Sequence, residues 1–445
     1  MRLSQKVAFN TIVQIATKVI TVFFGFFTMV ILTRYLGREM YGNYMYILTL
    51  VVLFGAFADW GTATIGVREA SKEKEKQDKI LVNVFLLRLF LSLGASVLMI
   101  IAAFLMPLKI ADPLNELMLR QGIIIGSLIL ILSAIKASFG IVFQTRLEMQ
   151  KYAVGDIIAS ILIFVISFLL VRFNFGLIPL IGAVLIAYLG AISVLSFLVS
   201  KTIKFKLNWD KVFIKKFIKE SLPMGAILLM FTVDNKIDTV MLGSLKGSGA
   251  VGIYSVSYRI YDVLILGAAY FMNSLLPVLS QYSDLKKWRK KLRVIYQKSF
   301  DILLMMGGFV IVLVLVLSPL IIKLITQNRF QEFFDSVLVL RILSLAIFLS
   351  YFNHLTGYTI VALGRQRLYF SVAISALVFN VLVNLLVIPR FSYYGAATVT
   401  VLTEALVLFI TSFFTFRLLK IVPSFFHFPK TLLQLIKQKG KILND

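Results

Sequence analysis

Residues 303–325 read LLMMGGFVIVLVLVLSPLIIKLI, and Lys323 is the only charged residue among them. An α-helix rises about 1.5 Å per residue, so this stretch can cross the ~30 Å hydrocarbon core of a bilayer. Similar runs recur at Asn10–Leu32, Ile80–Met106, Tyr152–Val171 and Tyr369–Ile388. The strands of a transmembrane barrel would alternate polar and apolar residues, whereas these runs are apolar on nearly every face. The sequence therefore predicts an all-α integral membrane protein.

The composition of the 445-residue chain excludes a water-soluble globular protein, because 59% of its residues are hydrophobic and only 15% are charged. A net charge of +25 would suggest nucleic acid as the partner of a soluble protein. Cytoplasmic loops of membrane proteins also collect lysine and arginine, so membrane topology is the first explanation to test. The absence of cysteine excludes disulfides and thiolate metal sites.

Hydropathy predicts about twelve transmembrane helices in two sets of six. The first set covers residues 10–33, 42–65, 80–106, 118–141, 152–171 and 176–199. The second set covers residues 221–245, 251–280, 299–325, 334–362, 369–389 and 395–417. An even number of crossings gives both sets the same orientation, which predicts a parallel repeat about an axis normal to the membrane.

The distribution of basic residues predicts the orientation of the chain. About 31 of the 46 lysines and arginines fall in the termini and in alternate loops, and about nine fall in the other loops. The positive-inside rule then places both termini in the cytoplasm. The apolar stretch after Met1 is longer than a signal-peptide core and lacks a cleavage site, so it is predicted to be a retained first helix. We expect a multi-pass protein of the cytoplasmic membrane.

The most basic connection, Lys201–Lys219, contains Trp209 and is predicted to be an amphipathic linker at the membrane surface. The predicted domains are an N-terminal six-helix bundle (1–200), the linker (201–220), a C-terminal six-helix bundle (221–418) and a basic cytoplasmic tail (419–445). The two halves echo each other, since YGNY at residues 41–44 and VGIY at residues 251–254 open the second helix of each. Pseudo-symmetric halves of this kind usually enclose a substrate path.

Lys18 is the clearest candidate for a functional charge, because an ionisable side chain inside a span costs about 2.5 to 3.5 kcal/mol or more. It shares one helix face with Gln14, Thr21, Gly25 and Thr28, which follow helical spacing. This polar stripe predicts the lining of a cavity. The alternative is a small-residue helix interface from which Lys18 snorkels toward the cytoplasm.

Asp234, Lys236 and Asp238 lie near the middle of the seventh predicted span. The two aspartates are four residues apart and share a face, whereas Lys236 lies on another face. Asp234 and Asp238 are candidates for binding a coupling proton or sodium ion. An interhelical ion pair that only holds the fold together is the alternative.

Three further cations on predicted spans are candidate substrate contacts. Arg88 shares a helix face with two serines. It either lines a cavity or snorkels to the membrane surface, and the sequence does not decide between these two interpretations. Arg259 and Asp262 are three residues apart and could neutralise each other. Arg341 could contact a phosphate or anchor its helix at the interface.

Two other polar features favour structural roles. Lys136 lies near a helix end, where snorkelling is the favoured interpretation. Glu404, Asn380 and Asn384 form a polar zone on the last two helices and could hold those helices together.

Signals of enzymatic activity are thin. The chain has only two histidines and no H-E-x-x-H, Walker A or G-x-S-x-G motif. The predicted outer loops are short, which argues against a membrane-embedded glycosyltransferase with an exposed catalytic platform. We therefore expect a protein that is not an enzyme and that lacks a direct ATP drive.

Three stretches carry a family resemblance. They are the polar-striped first helix running into TRYLGREMYG at residues 33–42, Asp59-Trp60-Gly61 followed by Arg68-Glu69, and Gly252-Ile253-Tyr254. On these stretches the chain resembles, over essentially its whole length, the Wzx-type polysaccharide flippases. These are the O-antigen and teichoic-acid export proteins of the multidrug/oligosaccharidyl-lipid/polysaccharide exporter superfamily.

The resemblance implies two six-helix bundles facing each other in a V, alternating access, and a polyprenyl-diphosphate-linked oligosaccharide as the cargo for cell-surface polysaccharide biosynthesis. Cationic groups in a central cavity would replace the lost hydration of the diphosphate while the polyprenyl tail stays in lipid. The candidate substrate contacts are Lys18, Arg88, Lys236, Arg259 and Arg341. Expected partners are membrane lipids, a glycan polymerase and glycosyltransferases, but not nucleic acid. No cofactor is expected beyond a coupling proton or sodium ion.

Two other functions compete with this prediction. One is an ion-coupled drug or metabolite antiporter of the same superfamily, which a cavity lined mainly by aspartates would favour. The other is a non-transporting scaffold of a glycan-assembly complex, which a sealed interface between the halves would favour. The cationic candidates outnumber the acidic ones, and this excess favours an anionic cargo.

Overall fold

The structure is a computed structural model that describes residues 3–105, 113–205 and 209–424, and within these ranges it contains helices and connecting turns but no strand. The α-helices are α1 (Leu3–Asp59), α2 (Thr62–Lys72), α3 (Gln77–Leu105), α4 (Pro113–Thr145), α5 (Met149–Arg172), α6 (Leu177–Ser200), α7 (Lys211–Lys246), α8 (Ser248–Leu264), α9 (Leu266–Gln281), α10 (Leu285–Thr326), α11 (Asp335–Ala362) and α12 (Gln366–Leu419). Residues 425–445 of the predicted basic tail lie outside the described residues.

Nine helical segments in the described ranges are long and apolar enough to cross a membrane. Two of them, Phe9–Lys72 (64 residues) and Gln366–Leu419 (54 residues), are long enough to cross twice. Leu285–Phe333 has 49 residues, but its first turns are basic and leave it one apolar crossing. The backbone of Gln366–Leu419 breaks at Ser392 (φ 52°), and that of Phe9–Lys72 breaks at Gly37 (φ 68°) within α1 and again at residues 60–61, between α1 and α2. With 36 residues, α7 is long enough for one more crossing despite the three charges in its middle. The all-helical fold class and the count of about twelve spans are confirmed.

Two helices begin well before their predicted spans. α7 begins at Lys211, where the Asp210 carboxylate caps it by accepting a hydrogen bond from the backbone N–H of Phe213 (3.0 Å). α10 begins at Leu285, and the Asp284 carboxylate accepts the backbone N–H of Lys286 (3.0 Å). Hydropathy missed these turns because they are basic, whereas helix formation needs only a cap and suitable propensity.

Contacts divide the chain into two compact units, residues 1–252 with 325–332 and residues 253–324 with 333–445. In the first unit, α1 packs along α3, α4, α5 and α7, and α5 packs against α6. In the second unit, α11 packs against α9 and α12. The predicted domain boundaries near residues 200 and 220 stay a prediction.

The glycines of the repeated motif meet within the first unit. A Cβ atom at Gly42 would collide with the backbone carbonyl of Ser248, and a Cβ atom at Gly252 would collide with the backbone carbonyl of Arg38. Each contacted carbonyl lies four residues before the other glycine, so the second part of α1 and the start of α8 cross reciprocally. Only glycine permits so close an approach. The echo between the two halves thus has a steric role at this crossing.

Candidate functional site

Lys18 lies on an exposed part of α1. Its side chain forms no ion pair with any residue that the structure describes. Gln14 is exposed one turn earlier, whereas Thr28 is buried and its hydroxyl donates a hydrogen bond to the carbonyl of Phe24 (2.8 Å). The predicted polar stripe is therefore open around Lys18 and packed at Thr28. An exposed ammonium is accessible to an anion, and its role in substrate binding stays a prediction.

Arg88 has different surroundings, because it is only 2% exposed. Its Nη1 lies 3.1 Å from the Asp59 carboxylate and donates to the Thr62 hydroxyl (3.0 Å), and its Nε donates to the Ser138 hydroxyl (2.9 Å). The same Asp59 oxygen accepts the backbone N–H of Ala63 (3.2 Å). The guanidinium is thus neutralised and bonded inside the first unit, as in a structural interhelical pair. It does not snorkel, and its part in substrate binding stays a prediction.

Lys136 forms a second interhelical ion pair in the first unit. Its Nζ lies 2.7 Å from Asp156 Oδ1 on α5. The same ammonium lies 4.9 Å from the ring centre of Tyr188 and 6.0 Å from that of Tyr152, within reach of cation–π attraction. The side chain therefore turns toward neighbouring helices instead of snorkelling to the membrane surface.

The central charges of α7 are at least partly buried. Asp238 is 2% exposed, while Asp234 and Lys236 are half-buried. All three interact with other residues of the chain. The helical spacing places both carboxylates on one side of α7, as the sequence predicts. Their role in ion binding stays a prediction.

The two arginine candidates of the second unit, Arg259 and Arg341, are exposed. Arg259 makes no ion pair within the described part of the chain, so it does not form the ion pair with Asp262 that the sequence left open. Arg341 Nε donates a hydrogen bond to the hydroxyl of Ser318 on α10 (3.0 Å). Arg259 thus resembles Lys18 in presenting a cation that no carboxylate of the described chain neutralises.

Glu404 is the centre of a polar cluster in the second unit. The Tyr261 hydroxyl donates to its Oε1 (2.8 Å), and Asn353 Nδ2 donates to its Oε2 (2.5 Å) and to its backbone carbonyl (2.9 Å). Asn384 instead donates to Asn380 on the same helix (2.9 Å). The polar zone predicted on the last two helices is therefore two groups, and Glu404 joins α12 to α8 and α11. In the described ranges no set of three histidine, aspartate or glutamate residues is arranged to hold a metal ion.

Sequence reasoning missed the acidic partners Asp59 and Asp156. A signal was available for Asp156, because α4 and α5 are consecutive helices joined by a short connection and are therefore antiparallel neighbours. Lys136 and Asp156 lie about equally far from that connection, whereas α2 separates the helices of Asp59 and Arg88 along the chain. Opposite charges at equal depth on such neighbours are predicted to pair.

Two protein-family models match the chain. The model described as polysaccharide biosynthesis protein matches residues 7–283, which is more than half of the chain. A second model, MatE, matches residues 223–386. The two matches overlap across the central part of the chain.

Curated relatives match parts of the chain. The capsular polysaccharide biosynthesis protein CapF of Staphylococcus aureus is 24% identical over 320 residues, which cover 70% of this chain and 77% of CapF. The probable flippase AglR of Haloferax volcanii is 27% identical over 38% of this chain and 35% of AglR. An uncharacterized membrane protein of Methanocaldococcus jannaschii, MJ1375, is 24% identical over 46% of each chain. The matches to the two archaeal relatives thus cover less than half of their length.

Solved structures share the fold over almost the whole chain. The lipid II flippase MurJ in an inward closed conformation has a TM-score of 0.72 at 17% identity, covering 97% of this chain and 96% of MurJ. An inward-facing multidrug resistance MATE transporter has a TM-score of 0.69 at 13% identity, covering 95% and 96%. The fold is therefore shared with a flippase and with a multidrug transporter. The chain belongs to the polysaccharide biosynthesis protein family.

Proposed function

We propose that this protein flips a polyprenyl-diphosphate-linked oligosaccharide across the cytoplasmic membrane by alternating access, for cell-surface polysaccharide biosynthesis. The observation that carries the proposal is the exposed Lys18 ammonium on an apolar helix, with no ion pair in the described chain. An ionisable side chain inside a predicted span is costly unless it serves a ligand or a water-filled path. Membership of a polysaccharide biosynthesis family supports a glycan as the cargo.

The proposed contacts follow from the chemistry of the diphosphate. Its oxygens lose water on entering the protein, and charge-assisted hydrogen bonds from lysine and arginine would replace that hydration. Lys18 and Arg259 are the leading candidates because neither is ion-paired within the described residues. Lys236 and Arg341 are further candidates. Arg88 would serve this path only indirectly, since its guanidinium is already bonded to Asp59.

Replacing Lys18 by alanine tests the proposal directly. The rate of flipping of a lipid-linked oligosaccharide in reconstituted vesicles should fall by about 10- to 150-fold, the worth of one hydrogen bond to a charged group. Lys18→Arg should retain part of the rate because it keeps the charge. Lys6→Ala is the matched control, since Lys6 is an exposed lysine on the same helix.

Native flipping by Lys18→Ala would contradict the proposed phosphate contact. The amount of Lys18→Ala in the membrane, and its elution as a single species in size-exclusion chromatography, should match those of the unmodified protein. Removing the charge makes the helix easier to insert, so a folding defect is not expected to explain a lost rate.

Ion coupling is proposed for Asp234 and Asp238. Two carboxylates on one helical side could share a cation, or the proximity of one could favour protonation of the other. Flipping should then respond to an imposed proton or sodium gradient. Replacement of both residues by asparagine should abolish that response, and a response that persists in the double variant would eliminate this assignment.

Both termini and the Lys201–Lys219 linker are proposed to be cytoplasmic, because the basic residues concentrate there. The cysteine-free chain allows a single cysteine to be placed at Lys211. An impermeant thiol reagent should label this cysteine in inverted membranes and not in intact cells. Labelling in intact cells would overturn the orientation. Glycosyltransferases and a glycan polymerase are the partners proposed for such a flippase.

An ion-coupled antiporter is the second candidate function. The MatE family model matches residues 223–386, and Glu404 is held by two neutral donors, Tyr261 and Asn353. A carboxylate so placed could serve a cationic cargo or a coupling ion. Gradient-driven uptake of organic cations without any flipping of lipid-linked glycan would favour this function over the flippase.

A further inference from the structure

The first turns of α7, residues 211–220, form a helix that we call the linker helix. Ion pairs fix both of its ends to the first unit. Lys79 Nζ lies 2.8 Å from Asp210 Oδ2 at one end, and Arg68 Nη2 lies 2.8 Å from Glu220 Oε2 at the other. The Asp210 backbone N–H also donates to Asn83 Oδ1 (2.9 Å). The rotation of the linker helix about its axis is therefore set by these contacts.

One side of the linker helix is buried. Ile214 and Phe217 belong to an apolar core that includes Ile80 and Phe143. Phe217 is 2% exposed, and its ring stacks on that of Phe213 with centroids 5.4 Å apart. The protein thus covers the side that bears the aromatic residues.

The opposite side combines apolar and basic side chains. Val212 is 82% exposed and Ile218 is 36% exposed, and the flanking Trp209 and Leu222 are 45% and 52% exposed. The exposed lysines of this side are Lys211, Lys215, Lys216 and Lys219. At about 100° per residue, these positions of the helix fall on one arc, away from the buried core. The helix then continues without a break into the apolar part of α7.

A second basic segment of the chain differs from the linker helix in two respects. The first turns of α10 expose five cations, Lys286, Lys287, Arg289, Lys290 and Lys291. No apolar side chain is exposed among residues 285–291. The segment also lies about 18 Å along the helix axis before the apolar run that begins at Leu303. A basic segment without exposed apolar side chains, such as residues 285–291 of α10, is expected to be solvated by water and not to insert into a membrane.

We infer that the exposed side of the linker helix, defined by Trp209, Val212 and its lysines, is a binding surface for anionic phospholipids. Exposed valine and tryptophan favour insertion at the level of the upper acyl chains. Lysines on the same side can extend their amines to phosphate headgroups while their methylene groups stay in apolar surroundings. Lipid, rather than an acidic soluble protein, fits the combination of both features beside a membrane span.

A single fluorophore can report lipid at this surface. Val212→Cys in the cysteine-free chain would be labelled with bimane and reconstituted in vesicles that contain brominated phosphatidylglycerol or brominated phosphatidylcholine. We expect phosphatidylglycerol to be preferred about fivefold or more as the quencher, because several lysines attract its charge. Replacing Lys211, Lys215 and Lys219 together by glutamine should bring the ratio close to one. High salt should have the same effect on the unmodified linker helix by screening.

Lys290→Cys, labelled in the same way, is the matched control on the basic but non-apolar segment, and its quenching by either lipid should be weak. Three outcomes would overturn the inference. The Val212 label could be quenched by neither lipid, it could be quenched equally by both at low salt, or the Lys290 label could be quenched as strongly. The salt titration needs no charge variant, so the test holds even where the triple variant fails to fold.

Discussion

Lys18 and Arg88 are both cations on apolar helices of the first unit, yet their surroundings are opposite. Arg88 is 2% exposed and is bonded to Asp59, Thr62 and Ser138. Lys18 is exposed and has no ion pair within the described residues. Burial of an unpaired guanidinium would cost several kcal/mol, whereas an exposed ammonium keeps its charge available. A charge inside a span therefore indicates function only when no neighbouring helix supplies its counter-charge.

The largest expected effect is a loss of stability on replacing Arg88, which we do not expect on replacing Lys18. Arg88→Ala should lower the free energy of unfolding by about 3–5 kcal/mol, because it leaves the Asp59 carboxylate without its counter-charge. Replacing Arg88 and Asp59 together by alanine should lower the free energy of unfolding by less than Arg88→Ala alone. The measurement is thermal unfolding of the purified protein in detergent.

Lys18→Ala is the matched control for this experiment, and its unfolding temperature should stay close to that of the unmodified protein. A loss of stability in Lys18→Ala as large as that in Arg88→Ala would break the comparison. So would a double variant whose loss of stability equals or exceeds the sum of the losses in Arg88→Ala and Asp59→Ala, because Arg88 and Asp59 would then show no favourable coupling.

The same comparison shows what could be predicted from sequence. Long apolar runs require helices in a bilayer, so the fold class and the number of spans followed from hydropathy. The Lys136–Asp156 pair could have been predicted from equal depth on the consecutive helices α4 and α5. The Glu404–Tyr261 hydrogen bond could not, because 143 positions separate the residues and helix rotation decides which side chains meet. Hydropathy also missed the basic first turns of α7 and α10, since helix caps act independently of apolarity.

A smaller effect is expected at Lys136 and Asp156, where the pair is less buried. Lys136→Ala should lower the free energy of unfolding by about 1–3 kcal/mol, because it leaves the Asp156 carboxylate without its donor. Exchanging the two residues, Lys136→Asp with Asp156→Lys, should recover part of this loss but not the attraction to the Tyr188 ring. Unfolding in detergent measures both variants. An exchanged protein no more stable than Lys136→Ala would show that the aromatic contacts, rather than the ion pair, hold Lys136.

The smallest expected effect concerns the pair between Lys79 and Asp210 at the surface, which extends the comparison from a buried pair to an exposed one. The Lys79 ammonium, 2.8 Å away, lowers the pKa of Asp210, and the backbone N–H of Phe213 acts in the same direction. A carboxylate whose pKa is lowered by folding stabilises the protein above its unfolded pKa of about 3.9 and loses that contribution as the pH falls through the folded value. Asp210→Asn should therefore be slightly less stable than the unmodified protein at pH 7, by a margin that shrinks in high salt.

The unfolding temperatures of Asp210→Asn and of the unmodified protein should converge only below about pH 4, where the Asp210 carboxylate becomes protonated. Convergence already between pH 7 and pH 5 would contradict the lowered pKa, because Asp210 should stay ionised throughout that interval.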